Sequence, residues 1–298
     1  MSLVATLPTG VLPGGRFADW SPRRVAYAVC DVDGTLVGPQ DLASTEVVAA
    51  IARAQAAGVR VGFATGRMRD AVGALSDQLG AVGPHLLHNG AEVRADGETI
   101  ASWTLQPDQV DRLLALAGQR DDTYVEVYTE SGFHVSAWDE RGRPHWEILR
   151  AQPTSVLGRA ADLGGAAVLK ATFPVFDPAG VDAVVAGINA AGLLAGAAGS
   201  PRTPGLVYIN ATHPDADKGR ALVRAAEHLG VSLGAVAAVG DATNDLSMLT
   251  IAGTAIAMGQ APDVVRSAAH LVVPDVDTHG VAVALDAIVG WQARHPEA

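Results

Sequence analysis

The sequence contains two clusters of acidic residues that lie far apart in the chain, and each directly follows a short apolar segment. One cluster, DVDGTL at residues 31–36, follows residues 25–30, and the other, GDATND at residues 240–245, follows residues 236–239. Short runs of β-branched and small apolar residues are typical of buried strands. The carboxyl ends of parallel strands meet at one edge of a sheet. The sequence therefore predicts a fold that brings the two clusters together.

Predicted strands and helices alternate around both clusters. The first stretch has strands at 25–30, 59–64 and 85–87, with helices at 44–57 and 68–79. The same alternation returns from about residue 205, with a strand at 206–210, and ends in a helix that reaches about residue 292. This order predicts right-handed crossovers and an α/β core with a parallel sheet.

The middle of the chain has a different pattern, with predicted hairpins at 92–104 and 124–137 and a strand at 168–175. Runs of hairpins within an α/β chain indicate an inserted α+β domain. We therefore predict a flexible tail at 1–22, a core formed by 23–90 and 206–298, and an inserted domain at 91–205.

Composition narrows the possible functions. The net charge of -11, from 21 basic and 32 acidic residues, argues against a nucleic-acid-binding surface, which needs clustered Lys and Arg. The single cysteine, Cys30, forbids an intrachain disulfide and is typical of a reducing compartment. The sequence predicts no membrane span, and we expect a cytoplasmic protein without membrane or nucleic-acid partners.

The first acidic cluster has the chemistry of a nucleophilic site. Asp31 would be the first carboxylate after the strand, and a carboxylate can attack phosphorus to form an aspartyl-phosphate. Asp33 would point to the same side and could act as acid and base. Gly34 and Thr35 allow a tight turn whose amide hydrogens face phosphoryl oxygens. The alternative is an ordinary Asp-Gly turn with a helix cap.

The end of the second predicted strand, residues 63–67 with the sequence FATGR, carries further candidates. Thr65 could donate to a phosphoryl oxygen, although a helix cap is the more common role for such a residue. Gly66 lets the backbone come close to a ligand. Arg67 could pair with the substrate or brace the following helix, and the residues alone favour neither.

Lys218 opens a predicted helix, where a cation opposes the helix dipole. That position is explained if an anion lies beside it, because Lys218 could then neutralise an attacking carboxylate and a phosphoryl group. The alternative is a surface lysine. Asp217, directly before it, is predicted to cap the helix.

The second acidic cluster is predicted to bind a metal. Clustered carboxylates repel each other unless a cation or shared protons offset their charge, and Mg²⁺ prefers oxygen ligands. Asp241 would bind it directly, and Asp245 directly or through water. Asn244 could orient the phosphoryl group or a carboxylate. The alternative role of Asn244 and Asp245 is helix capping.

These four motifs, in this order, resemble those of the haloacid dehalogenase superfamily of phosphohydrolases. Residues 64–67, 89–91 and 244–258 resemble the Cof-type subfamily more closely, and the resemblance extends from about residue 25 to 290. It implies a Rossmann-like core with helices on both faces of the sheet. It also implies an inserted mobile cap of the C2 type that selects the substrate.

The resemblance also implies Mg²⁺ and a set of site residues. The implied catalytic residues are Asp31, Asp33, Thr65 and Lys218. The implied phosphate- or substrate-binding residues are Gly34, Thr35, Gly66, Arg67, Asn89 and Asn244. The implied metal ligands are Asp31, Asp33 through its backbone carbonyl, Asp241 and Asp245. Two residues depart from the usual pattern, namely Gln260 in place of Asn and His279 in place of an acidic residue.

We therefore predict a Mg²⁺-dependent phosphatase acting on a small phosphorylated metabolite, with a sugar phosphate favoured by the family. The chain is expected to be a monomer or homodimer. A phosphomutase or phosphotransferase is the enzymatic alternative, and a non-catalytic binding module is the alternative of another class. In the inserted domain, the candidates for substrate recognition, most of which we expect to be packing residues, are Trp103, Tyr128, His134, Trp138, His145, Trp146, Lys170 and Arg202.

Overall fold

A computed structural model of the chain describes residues 7–39, 42–199, 203 and 205–296. These residues form two compact units. The first contains the described residues up to Gly66 together with Val72–Ala101 and those from Asp217 onward. The second contains Arg67–Ala71 and Ser102–Ala216. None of the helices within the described ranges is long and apolar enough to cross a membrane.

The first unit is built on a sheet that has nine strands among the described residues, in the order β1-β14-β13-β12-β2-β3-β4-β5-β6. Their bounds are β1 Leu12–Pro13, β2 Tyr27–Asp31, β3 Arg60–Ala64, β4 His85–Leu87, β5 Glu92–Ala95, β6 Glu98–Ser102, β12 Val236–Gly240, β13 Thr254–Met258 and β14 Leu271–Val273. The central strands from β14 to β4 are all parallel. The predicted parallel α/β core is thereby confirmed.

Strand β2 lies directly beside β12, although most of the chain separates them in sequence. Val239 pairs with Cys30 in parallel register, so both strands end at the same edge. Every residue of the two strands is buried, which explains their continuous apolar character. The predicted meeting of the two acidic clusters follows from this pairing.

Helices cover both faces of the core sheet. They are α1 Thr45–Ala56, α2 Arg69–Leu79, α6 Lys218–Leu229, α7 Leu246–Ile251, α8 Asp263–Ala268 and α9 Gly280–Arg294. Helix α1 packs beside α9, and α6 packs beside α7. Asp217 caps α6 as predicted, and Ser44 caps α1. Each side chain accepts a hydrogen bond from a backbone N–H three residues later.

The second unit has its own antiparallel sheet, in the order β10-β11-β9-β7-β8. Its elements are α3 Pro107–Gly118, β7 Glu126–Thr129, β8 Gly132–Val135, α4 Arg143–Leu149, β9 Val168–Val175, α5 Val181–Ala190, β10 Leu194–Gly199 and β11 Val207–Thr212. Apolar residues of α3 and α5 share one hydrophobic core with the sheet. A smaller aromatic cluster contains Tyr124, Tyr128, Phe133 and Trp146.

The predicted borders of the inserted domain need correction at both ends. The hairpin of β5 and β6 was expected at its start, but β5 pairs with β4 and extends the core sheet. The strand predicted at 206–210 was assigned to the core, but it is β11 and pairs with β9 and β10 of the second unit. The chain thus passes between the units near residues 102 and 216 rather than 91 and 205.

The predicted flexible tail is also corrected for the described residues from Leu7 onward. Leu12 and Pro13 pair antiparallel with β14, and the Arg16 guanidinium donates to backbone carbonyls that include that of Thr250. The Trp20 Nε1 donates to the Thr254 hydroxyl at 3.2 Å. This segment closes one edge of the core sheet.

Candidate active site

Three aspartates meet at the carboxyl edge of the core sheet. Asp31 is the last residue of β2, while Asp241 and Asp245 lie in the loop after β12. One carboxylate oxygen from each lies within 4.8 Å of the others. Asp33 does not belong to this group of side chains, because it lies in the following turn and is exposed.

Lys218 places its ammonium among these carboxylates. As the first residue of α6 it is fully buried, and its Nζ donates to Asp31 Oδ1 at 2.5 Å and to Asp245 Oδ1 at 2.6 Å. Burial alone would lower the pKa of Lys218, but the two carboxylates outweigh it and raise that pKa above its ordinary value. Lys218 is therefore a cation held in the position that the sequence predicts.

The charge of this cluster is not balanced within it. One ammonium faces three carboxylates, and burial together with Asp245 raises the pKa of Asp31 to about 8, despite the opposing effect of Lys218. Burial likewise raises the pKa of Asp241. Since ionised carboxylates gathered this closely repel each other, the site favours an additional cation. The oxygen-only donor set of Asp31, Asp241 and Asp245 fits Mg²⁺.

The loop after β12 is fixed by hydrogen bonds to Asp245. The backbone N–H groups of Asp241 and Ala242 both donate to Asp245 Oδ2 at 2.9 Å. Only glycine fits at position 240 without a steric clash, because a Cβ there would lie 2.5 Å from Asp245 Cγ. Asp245 therefore holds Lys218 with one oxygen and shapes its own loop with the other.

The turn after β2 packs tightly against Asp241. Gly34 has φ +88°, and a Cβ at this position would overlap the Asp241 carboxylate. The Thr35 hydroxyl donates to Asp241 Oδ1 at 2.9 Å. Thr35 is thus a partner of a metal-ligand candidate here, a contact that the sequence did not predict.

The loops after β3 and β4 lie at the same edge. Thr65 is fully buried, and its backbone carbonyl accepts a hydrogen bond from the backbone N–H of Asn89 at 2.8 Å. Asn89 adopts φ 58°, and its side-chain oxygen accepts from Asn244 Nδ2 at 3.2 Å. A Cβ at Gly66 would lie 3.0 Å from that oxygen. Asn89 therefore links two predicted motifs. Arg67 belongs to the second unit.

The second unit contains a buried carboxylate that the sequence analysis missed. Glu126 is fully buried and accepts hydrogen bonds from the Tyr124 hydroxyl at 2.7 Å, the Tyr128 hydroxyl at 2.6 Å and Trp146 Nε1 at 3.0 Å. His145 Nδ1 lies 2.9 Å from Glu126 Oε2, the oxygen that also accepts from Tyr128. In the sequence, the aromatic residues near Glu126 are the feature that could indicate a buried carboxylate with hydrogen-bond donors around it.

Most predicted recognition candidates of the inserted domain are packing residues or lie in local contacts. Tyr128 and Trp146 are fully buried, and the Lys170 ammonium lies 4.5 Å from the centroid of the Tyr128 ring. Burial lowers the pKa of Lys170 to about 8. Trp138 is half exposed. Arg202 lies outside the described residues.

Comparisons with known proteins agree on the family of this fold. The sequence matches the family described as haloacid dehalogenase-like hydrolase over residues 28–285. It is 28% identical to the 5-amino-6-(5-phospho-D-ribitylamino)uracil phosphatase YwtE of Bacillus subtilis, covering 88% of this chain and 97% of that protein. It is 29% identical to the phosphatase YwpJ of the same organism, covering 85% and 95%.

A solved structure shows the same fold. The crystal structure of a haloacid dehalogenase-like hydrolase from Bacteroides thetaiotaomicron superposes with a TM-score of 0.78 at 23% identity. The match covers 89% of this chain and 100% of that chain. Both units of the present protein therefore occur together in a known architecture.

Proposed function

Because this chain belongs to the haloacid dehalogenase-like hydrolase family, in its Cof-type branch, we propose that it is a phosphatase that depends on Mg²⁺ and uses Asp31 as nucleophile. The observation that carries this proposal is the contact between Asp31 and Lys218 at the edge of the core sheet, where Asp31 Oδ1 lies 2.5 Å from Lys218 Nζ. A buried carboxylate that keeps an ammonium beside it can approach a phosphoryl dianion with less repulsion.

In the first step, an oxygen of Asp31 forms a bond to phosphorus as the bond from phosphorus to the leaving oxygen breaks. Asp33 gives its proton to that oxygen, so the product leaves as an alcohol. In the second step, Asp33 takes a proton from water as the water oxygen attacks phosphorus. The bond to Asp31 breaks, which releases phosphate and restores the enzyme.

The metal site of this proposal consists of the carboxylates of Asp31, Asp241 and Asp245 and the backbone carbonyl of Asp33. Bound there, Mg²⁺ would offset negative charge on the carboxylates and on the phosphoryl oxygens. The remaining residues of the edge would hold the phosphoryl group by neutral donors and one cation. They are Gly34, Thr35, Thr65, Gly66, Asn244 and Lys218. Asn89 would belong to the same group, because its side-chain oxygen accepts a hydrogen bond from Asn244 and so helps to orient that residue.

We favour a sugar phosphate or a closely related phosphorylated polyol as substrate. The relative YwtE is named for a substrate with a phosphorylated ribityl chain, which supports this class. Selection of the substrate by the second unit and by Arg67 stays a prediction. The cytoplasmic location and the state as monomer or homodimer also stay predictions.

The test is phosphate release from a panel of sugar phosphates, phosphorylated polyols, nucleotides and phosphorylated cofactors, with Mg²⁺ and with EDTA. We expect release that requires Mg²⁺ and is lost in Asp31→Asn. Acid quenching during turnover should trap labelled phosphate on the wild-type protein and none on the variant. Full activity of Asp31→Asn would contradict the mechanism. Transfer to an added sugar in preference to water would instead favour the phosphotransferase alternative.

A further inference from the structure

Gln260 makes a contact with the catalytic turn that the four motifs do not account for. Its Nε2 donates to the backbone carbonyl of Gly34 at 2.5 Å, across 226 positions of sequence. Its Oε1 accepts the backbone N–H of Val276 at 3.2 Å. One exposed side-chain amide thus connects the turn after β2 with the turn that precedes α9.

The Gly34 turn has little freedom on its other sides. The Gly34 N–H donates to the Val37 carbonyl at 2.9 Å, and the neighbouring Thr35 hydroxyl is tied to Asp241. Gly34 itself packs against the Asp241 carboxylate so closely that a Cβ would not fit. The carbonyl that Gln260 holds belongs to the peptide that follows Gly34 and precedes Thr35. The hydrogen bond from the Gln260 side-chain amide therefore supports this turn from a further side.

Asp33 lies directly before the supported glycine, and it differs from the other aspartates of the site. Asp31, Asp241 and Asp245 are gathered around Lys218, whereas Asp33 is exposed and lies outside that group. The backbone of the turn is one determinant of where its carboxyl group lies. Asp33 shares a peptide bond with Gly34, so a shift of Gly34 also shifts Asp33.

We infer that Gln260 is a positioning residue for Asp33, acting through the Gly34 carbonyl, in the reaction proposed above. Its side-chain hydrogen bonds go to the backbone of Gly34 and Val276 and not to the carboxylates of the cluster. Its loss should weaken proton transfer to the leaving oxygen. This inference rests on the proposed function, because it assigns Gln260 to the step in which Asp33 gives its proton.

The leaving group distinguishes positioning from a general structural role. A sugar alkoxide needs a proton as it departs, whereas p-nitrophenolate is stable without one. The ratio kcat/KM covers the steps up to release of the alcohol. In Gln260→Met, which keeps the length of the side chain and removes both hydrogen bonds, we expect kcat/KM for the sugar phosphate to fall about tenfold. For p-nitrophenyl phosphate it should change less than about twofold.

Gln55 provides a matched control. Its Nε2 donates to the Gly80 carbonyl at 2.9 Å and its Oε1 accepts the Val82 N–H at 2.9 Å, so it also bridges a glycine and a valine. Residues 80–82 precede β4 and therefore lie at the opposite edge of the sheet. Gln55→Met should leave both substrates and the Mg²⁺ dependence unchanged, with a loss of thermal stability similar to that of Gln260→Met.

The possible outcomes separate the two levels of the argument. A wild-type protein that releases phosphate from both substrates, with a Gln260→Met variant equal to it or equally slowed on both, would overturn the role of Gln260 alone. A wild-type protein without Mg²⁺-dependent phosphate release from either substrate would overturn the proposed function together with it. A selective loss on the sugar phosphate, absent from Gln55→Met, would establish the positioning role.

Discussion

The two units of this molecule each bury acidic side chains, and they treat the charge in opposite ways. At the edge of the core sheet, Asp31 and Asp245 share the ammonium of Lys218, and a carboxylate oxygen of Asp241 lies within 4.8 Å of theirs. In the second unit, Glu126 receives hydrogen bonds from two tyrosines, a tryptophan and a histidine. Burial raises the pKa of Asp31, whereas the donors around Glu126 overcome burial and lower its pKa.

This difference separates a reactive site from a structural one. A carboxylate with every lone pair satisfied has little to gain from another ligand, and it stabilises the fold around it. Carboxylates that outnumber their cation gain from a metal ion and repel each other without it. Burial of acidic residues therefore indicates function only together with the balance of charge and donors around them.

The largest expected effect separates the two regions by activity. Asp31→Asn should lower kcat about a thousandfold or more, because the amide is not a nucleophile toward phosphorus. Glu126→Gln should keep kcat within about tenfold, since Glu126 is engaged with its own donors. Steady-state phosphate release measures both, and the exposed Asp108→Asn is the control. Equal losses in the two variants would break the distinction.

The next effect concerns the balance of charge in the core. Lys218→Met removes the only ammonium from the three carboxylates and should lower the free energy of unfolding by about 3–5 kcal/mol. Urea unfolding of the metal-free protein measures this change. Mg²⁺ should restore part of the lost stability, because a cation then offsets the same carboxylates. An unchanged midpoint in urea would show that the cluster is balanced by other means.

A smaller effect is expected in the second unit. In Glu126→Gln the side-chain amide must place an N–H against one of the donors, which should cost about 1–3 kcal/mol. The exposed Glu147→Gln on α4 should be neutral and is the matched control. Thermal unfolding followed by tryptophan fluorescence measures the change, because three of the five tryptophans, Trp103, Trp138 and Trp146, lie in this unit. A variant as stable as the wild type would mean that the four donors do not require the charge.

The pH dependence of Glu126 sharpens the same comparison. Since its pKa is lower in the folded protein than its ordinary value, its contribution to stability is fully present above the ordinary pKa of about 4.3. That contribution is lost as the pH falls through the folded value. At pH values below about 4.3 we expect the midpoint temperature of thermal unfolding of the wild type to decrease. The difference between this midpoint and that of Glu126→Gln should become smaller in the same pH range. A constant difference down to low pH would contradict this.

The last effect is the stabilisation by metal. Mg²⁺ at about 100 times its dissociation constant should raise the free energy of unfolding of the wild type by about 2.7 kcal/mol. Asp241→Asn should reduce the shift, and Glu126→Gln should leave it unchanged. Differential scanning fluorimetry with Mg²⁺ and with EDTA measures the shift. An equal shift in all three proteins would place the ion elsewhere.

The sequence was informative where a local pattern and its physical cause coincide. The strands that end at Asp31 and Gly240 and the capped helix that begins at Lys218 are all recognisable, because burial and capping leave traces in neighbouring residues. The meeting of Asp31 with the loop after β12 then follows from the parallel pairing of β2 and β12. The resemblance to a family added the roles that spacing alone left open.

The partners of antiparallel strands were less predictable. Strand β5 was predicted in a hairpin of the inserted domain and β11 in the core, and only tertiary pairing decides that β5 extends the core sheet and β11 the second sheet. Gly14 and Gly15 lie in the segment that the sequence predicts to be a flexible tail. In the structure, a side chain at either position would overlap the backbone carbonyls of Ala269 or Ser267, so these glycines permit close packing.

The pairing of β2 with β12 has a consequence for how the protein is made. Synthesis of the first acidic cluster is finished long before its neighbouring strand leaves the ribosome, and the whole second unit emerges in between. Contacts between such distant segments form late and slowly. The second unit has its own sheet and core, so it can fold while the first part of the core waits. A nascent chain that ends before residue 245 would therefore contain Asp31 but lack Asp245, and its cluster of carboxylates would be incomplete.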